Sequence, residues 1–485
     1  MLYYNLSKAF SQRALTTVLA FVLGIISYSQ ESDPSPWSRY GFGVNMQSYS
    51  SPQQLMGGVV SPLMESDVIN PNQPASAAGC KSTMLQSSIY NSTNSMVERD
   101  SNTTAITGNI GALSMVIKQK NKKNAMTFGI IPNSSRGYSL YKQDVDSVAG
   151  TGSISEYYRG KGGTARAYIG FAKALKGKTW LNISDDDSIY IYNRSLQVGA
   201  QLDYLFGEVV SNEVLDIEDV FFKDSYINTS MKHRGVRGMF GLQFYQLLKV
   251  KYDLNKNFIS STKLYIGGTY STRSNLKTDY ERLRTTGYLE TNQFYDTAYY
   301  FAAPLMGETP TKWSAGIAVA LESASGSRFL VGFDYTNENW SIYNYDSIND
   351  YLLGDTINVQ WEKASKLSTG ITFNPPSRGS GKSVLARSTY KAGYSIDKYP
   401  ISYNSNGEFN QLAEWRVSCG MSMPIERSRS NSRVHLGIEY GKRSLMDTDG
   451  TFLDNTLVEN ILNVQIGVTL APFFKNLWLV PKLYD

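Results

Sequence analysis

Residues 462–470 read Leu-Asn-Val-Gln-Ile-Gly-Val-Thr-Leu, apolar at every even position and polar or glycine at every odd one. Such strict alternation marks a β-strand with two unlike faces. The same beat returns at 196–204, 313–321, 328–335 and 433–440. A soluble sandwich also alternates, usually over shorter strands. Here one face carries Gln, Asn, Asp, Glu, Lys, Arg and Gly, and aromatics sit near strand ends, as lipid outside, a wet lumen inside and interfacial girdles require. The pattern predicts an all-β protein: a transmembrane antiparallel β-barrel of about fourteen strands, an even number as bacterial barrels use.

The strands are expected near 82–92, 104–119, 123–133, 164–176, 194–207, 235–253, 257–273, 312–323, 326–341, 355–374, 387–400, 408–424, 432–443 and 456–470. Tight turns at 121–122, 255–257 and 323–326 would face the periplasm, and long polar loops at 134–163, 208–234 and 274–311 would face outward. Residues 177–193 break this rule as a periplasmic turn of unusual length, with room for a hairpin of its own.

The ends of the chain differ from the middle. Lys8 and Arg13 precede an apolar core at 14–26 and small residues at 27–29, which predicts a signal peptide over 1–30. About thirteen apolar residues are too few for a helix across a hydrocarbon layer roughly 30 Å thick. From 31 to 80 the alternation is lost, and Pro34, Pro36, Pro52, Pro62, Pro71 and Pro74 punctuate the chain. Irregular backbone of this kind cannot lie against lipid, so it is expected in the lumen or the periplasm. The barrel would then occupy 81–474, with a short tail at 475–485.

Composition sharpens the picture in three places. A mean hydropathy of −0.30 is compatible with a barrel, which needs only half of each strand to be apolar. A net charge of +5 without a dense basic cluster excludes nucleic acid as a partner, leaving outer membrane lipid as the expected one. Cys80 and Cys419 are the only cysteines and could form at most one bridge, which is no disulfide framework.

Three stretches carry a family resemblance: Ser35-Pro-Trp-Ser-Arg-Tyr-Gly-Phe-Gly43, then Gln54-Leu-Met-Gly-Gly58, then Asp67-Val-Ile-Asn-Pro-Asn-Gln-Pro-Ala-Ser76. Together they resemble the N-terminal hatch of FadL-like (FadL/TodX-type) outer membrane proteins in their Bacteroidota form. Residues 128–138 are similar to that family's third strand, and 459–478 to its closing strand. The resemblance implies a 14-stranded barrel in the cell outer membrane of a Gram-negative bacterium, a lumenal N-terminal hatch, and movement of hydrophobic compounds. It places the hatch motif at Met56, Gly57, Gly58, Asn70, Pro71, Pro74 and Ala75. Inserted residues at Asn72 and Gln73 depart from the family pattern. The family also includes scaffold components of secretion and assembly machines.

Parity places Arg166, Asp203, Lys263, Arg328, Asp334, Arg433, His435 and Glu439 on the lumen face as a polar network. Mixed signs point to paired bridges that stiffen the barrel. Arg433, His435 and Glu439 form the densest group. A hatch that shifts and one that only fills a hole both satisfy the spacing at 52–76. Asp185–Asp187 and Asp447-Thr-Asp-Gly450 are better read as turns than as calcium loops, since Val458 stands where a bidentate carboxylate is needed. With only His233 and His435, neither beside a nucleophile motif, no catalytic residue, metal or cofactor is expected. Two functions remain: a plugged uptake channel for fatty-acid or hydrocarbon compounds, or a structural, partner-binding barrel in an outer membrane secretion or assembly complex. Under the first, the aromatic run at 295–305 would capture cargo, unless it merely extends a strand or packs on a neighbour.

Overall fold

The computed structural model describes residues 34–41, 43–46, 50–99, 101–119, 123–146, 152–184, 187–219, 221–253, 257–288, 293–342, 359–376, 383–405, 407–425 and 432–471. The expected signal peptide, the tail at 475–485 and residues 185–186 lie outside these residues.

After a two-residue strand β1 (Val44–Asn45), the wall begins with β2 (Met84–Glu98), β3 (Ser101–Ile110), β4 (Leu113–Lys118) and β5 (Asn124–Ser135). Strand β6 (Tyr138–Asp146) leads to three long strands, β7 (Gly152–Ser184), β8 (Asp187–Ile217) and β9 (Asp224–Tyr252). Next come β10 (Phe258–Ser271), β11 (Ser274–Tyr288), β12 (Gln293–Thr309), β13 (Lys312–Ser323) and β14 (Arg328–Asn339). The chain finishes through β15 (Val359–Trp361), β16 (Lys363–Asn374), β17 (Thr389–Ser405), β18 (Glu408–Pro424), β19 (Arg433–Met446) and β20 (Val458–Leu470).

All pairings are antiparallel, and β2 closes on β20 from Leu85↔Leu470 to Val97↔Val458. With β3 and β4 forming one broken strand, and β1, β6, β11, β12 and β15 outside the count, the closed wall has fourteen strands. Closure leaves no edge along that seam, which a hydrocarbon environment demands of any sheet.

Alternation in sequence becomes alternation in space. Leu462 and Val464 face outward while Asn463 and Gln465 are buried in the interior. Trp313, Tyr335, Tyr270 and Tyr440 ring one end of the outer surface, and Phe329, Phe373 and Tyr390 ring the other. Short connections and the two ends of the wall lie on the second side, which is therefore the periplasmic one.

The stretches read as long outer loops are strands. Residues 134–163 contain β6 and the start of β7, 208–234 the end of β8 and the start of β9, and 274–311 the β11–β12 hairpin. Strand β9 pairs with β11 over Asp224–Gly235 and with β10 over Met239–Tyr252, so the outer sheet branches from the wall. Phe301 and Leu305 of the aromatic run pack on Val209, Met231 and Tyr280, while Tyr299 and Tyr300 stay exposed.

Candidate functional site: the lumen and its N-terminal segment

Residues 50–63 and 67–80 are almost wholly buried, although they form little regular structure beyond α1 (Ser51–Gln54) and a 3-10 turn over Pro74–Gly79. Their neighbours are inward-facing glycines at the middle of the wall strands. A Cβ at Gly199 or Gly241 would meet Ala75, Pro74 or Gln73, and one at Gly267 or Gly316 would meet Ser61 or Pro62. Val59 lies against Gly332, Met56 and Gly57 against Gly370 and Gly393, Leu55 against Gly420 and Gly437, and Ser51 against Gly467. The segment thus travels around the inside of ten consecutive wall strands, from β8 to β20. Its own Gly57 and Gly58 adopt φ +67° and +81°, a left-handed turn closed to most side chains.

Polar groups fix this course. Asp334 Oδ2 accepts the N–H groups of Val60 (2.7 Å) and Ser61 (2.6 Å). Gln243 Nε2 donates to the Ser61 and Leu63 carbonyls. Ile69 N–H donates to Gln86 Oε1 at 2.9 Å, and Lys118 Nζ donates to the Ala78 carbonyl at 2.5 Å. Two ion pairs add to these: Lys391 with Glu65 at 2.7 Å and Arg433 with Asp67 at 2.6 Å. Burial works to raise the Asp67 carboxyl, but the Arg433 and Lys391 charges outweigh it and hold the group below its usual range. Burial pushes the Cys80 thiol up to about 12. Cys80 is buried and Cys419 exposed, and each is a free thiol.

Each hatch-motif residue has a place here. Met56, Gly57, Pro74 and Ala75 face the glycines named above, and Gly58 completes the turn. Asn70 Nδ2 donates to the Val60 carbonyl, and the Pro71 carbonyl accepts from Gln201.

The residues chosen by parity do not form one network. Arg166 and Asp203 pair at 3.0 Å, joined by Arg237, and Arg166 also reaches Asn72. Lys263 and Arg328 share Glu322. The dense trio separates by partner: Arg433 holds Asp67, Glu439 accepts from Arg416 at 2.9 Å, and His435 sits between the Ser422 and Thr469 hydroxyls. Full burial of His435 closes it to any substrate.

A second cluster went unread in the sequence. Arg443 binds Glu414 (2.9 Å) and Glu459 (2.7 Å), Arg416 binds Glu414, and Ser35 Oγ donates to Glu459 at 2.6 Å. It ties the start of the N-terminal segment to the outer half of the lumen. Alternation does mark Glu414, Arg416, Arg443 and Glu459 as inward, which was the available signal.

Between these contacts lies a cavity of about 150 Å³. Its lining mixes charged Arg166, Asp203 and Lys312 with apolar Met46, Leu205 and Met239. Among the described residues the barrel wall has one break. Ser101–Ile110 of β3 pairs with β2 on one side, whereas β5 beyond Ile130 pairs with β7 and, at Ser134 and Ser135, with β1. Ile106 and Ile110 face outward beside this break.

Among solved structures, the chain is similar to the CymD monoaromatic hydrocarbon channel at 14% identity, covering 88% of this chain and 98% of that one, with a TM-score of 0.46. It is also similar to the Pseudomonas putida toluene transporter TodX (14%, 89% and 99%, 0.48) and the Ralstonia pickettii toluene transporter TbuX (12%, 87% and 98%, 0.48). Likeness this distant says nothing of cargo. A search of curated proteins returns no match. The BamG family model matches residues 12–480, nearly the whole sequence, and the chain accordingly belongs to the BamG family.

Proposed function

We propose that this protein is a sealed, structural barrel of the outer membrane whose role is to bind partner proteins in a secretion or assembly complex. The observation that carries this reading is the filled lumen: residues 51–75 lie against glycines of ten wall strands. Moving them would break the Asp334, Glu65 and Asp67 contacts together. In this reading 1–30 is a signal peptide, 31–80 a fixed plug, 81–474 the barrel and 475–485 a tail. Met56, Gly57, Gly58, Asn70, Pro71, Pro74 and Ala75 seat the plug, while Arg166, Asp203, Lys263, Arg328, Asp334, Arg433, His435 and Glu439 stiffen the wall around it. A hydrophobic cargo would strip water from the charged part of the cavity lining, at a cost of several kcal/mol for any ion whose partner it displaced.

Mild-detergent extraction of the tagged full chain tests the proposal. Stoichiometric co-purification of the same outer membrane proteins supports it; a lone barrel overturns it.

The break beside β3 favours a second reading, uptake of fatty-acid or hydrocarbon compounds that leave sideways into lipid. Cells with and without the gene would differ in uptake of a labelled fatty acid or toluene under that reading. Equal uptake removes it.

A further inference from the structure

On the periplasmic side, Leu175–Ser184 of β7 and Asp187–Asn193 of β8 stand beyond the wall. Among the described residues they form ladders with each other alone: the neighbouring ladders stop at Asn124↔Lys173 on one flank and Arg194↔Gln246 on the other. At about 3.3 Å per residue this is roughly 30 Å of two-stranded ribbon. An isolated ribbon is marginally stable in water, and no described strand pairs along either of its edges.

The chemistry of its root is one-sided. Lys178 Nζ lies 4.6 Å from the Tyr192 ring centre and 5.0 Å from that of Tyr190, and Lys176 Nζ lies 5.8 Å from Tyr192. Both tyrosines are about half exposed, at 51% and 53%. Arg194 adds a further cation, and 175–184 contains no Asp or Glu; the acidic residues 185–187 follow only later in sequence.

We propose that this ribbon is a periplasmic docking arm, which takes an extended acidic segment of a partner polypeptide as an added strand along its basic root. Strand addition satisfies the open edge with main-chain hydrogen bonds, and the side chains beside it set the choice of partner. Lysines along an edge repel a second copy of the same edge, so self-pairing is disfavoured while an acidic strand is drawn in. The tyrosine faces supply apolar contact and keep the lysine charges over the root. This inference rests on the partner-binding reading and names a surface and a partner chemistry for it.

The test uses the full chain in non-ionic detergent and a fluorescent twelve-residue peptide of alternating Glu and Thr. Saturable binding is expected, together with at least tenfold slower hydrogen exchange at 175–193. The K176E/K178E variant should bind at least tenfold more weakly, with the barrel's thermal unfolding unchanged. Absence of saturable binding overturns the proposal, as does equal binding of the same peptide carrying a central proline. Equal protection by phosphatidylglycerol vesicles without peptide also overturns it, in favour of a lipid surface. In cells, residues 176–193 are replaced by an Asn-Gly turn. Partners that still co-purify with that variant would sink the arm and leave the partner-binding reading intact, whereas a full-length chain that co-purifies with nothing sinks the reading itself.

Discussion

At Gly393 an added methyl group would fall on the Gly57 nitrogen, and at Gly267 on the Ser61 carbonyl. Backbone atoms have no flexible end to swing aside, so Gly393→Val and Gly267→Val should each cost about 1–3 kcal/mol, the range for overpacking. The readout is a lower unfolding temperature in heat-shift gels; an unchanged value would contradict the close approach. Asp334→Ala strands the Val60 and Ser61 amides, costing about 1–3 kcal/mol for each group left unpaired. Proteinase K, which needs no basic residue, should then cut the N-terminal segment in the folded barrel, and continued protection would show that those two bonds are dispensable. Thiol labelling offers a third check: Cys80, buried and with its thiol pushed up to about 12, should resist maleimide at neutral pH, whereas a lipid-soluble maleimide should modify Cys419. At this scale the sequence was half legible. Alternation told which way Arg433, His435 and Glu439 point, because parity fixes direction. It could not name their partners, which come from the lumenal segment and from neighbouring strands. The mid-strand glycines were in plain view in Leu-Val-Gly-Phe, His-Leu-Gly-Ile and Gln-Ile-Gly-Val, but a glycine in a strand reports close backbone approach without saying what approaches.

Glu65 and Asp67 clamp one short stretch of the N-terminal segment to β17 and β19. Because the Asp67 carboxyl titrates below its ordinary 3.8, its contribution is complete above that value and is lost as pH falls through the lower folded value. Protease protection of this stretch should therefore hold from pH 7 to about 4. In Arg433→Ala the largest lowering charge is gone and burial pushes the carboxyl upward, so loosening should begin at higher pH. Identical pH profiles for the two proteins would refute the clamp. Among elements, the wall strands were readable because one face is greasy and the other polar. Strands β6 and β12 are exposed on much of both faces, while β11 and the outer part of β9 bury one face that is largely polar, with Ser274, Thr278, Ser225, Thr229 and His233, so all of them look like polar loops. Pairing between distant strands, as where β9 passes from β11 to β10, leaves no local trace in sequence.

For the whole molecule, in the proposed reading, the lumenal filling and the closed wall set permeability together. A variant lacking 34–80 but retaining residues 1–33 should, if it folds, conduct ions in planar bilayers far above the intact chain. Equal conductance would mean that the filling is not the seal. Its unfolding temperature should also fall, because Ile69, Ala77 and Ala78 share a buried core with Met84, Val116 and Ala172 of the wall. The ring of glycines carries a consequence for biogenesis. Pro62 fits against the wall glycines with no room to slide, so the head of the polypeptide is best seated before β2 and β20 zip together. The finished object is wound on its own spool, and a chain whose seam sealed too early would be trapped hollow.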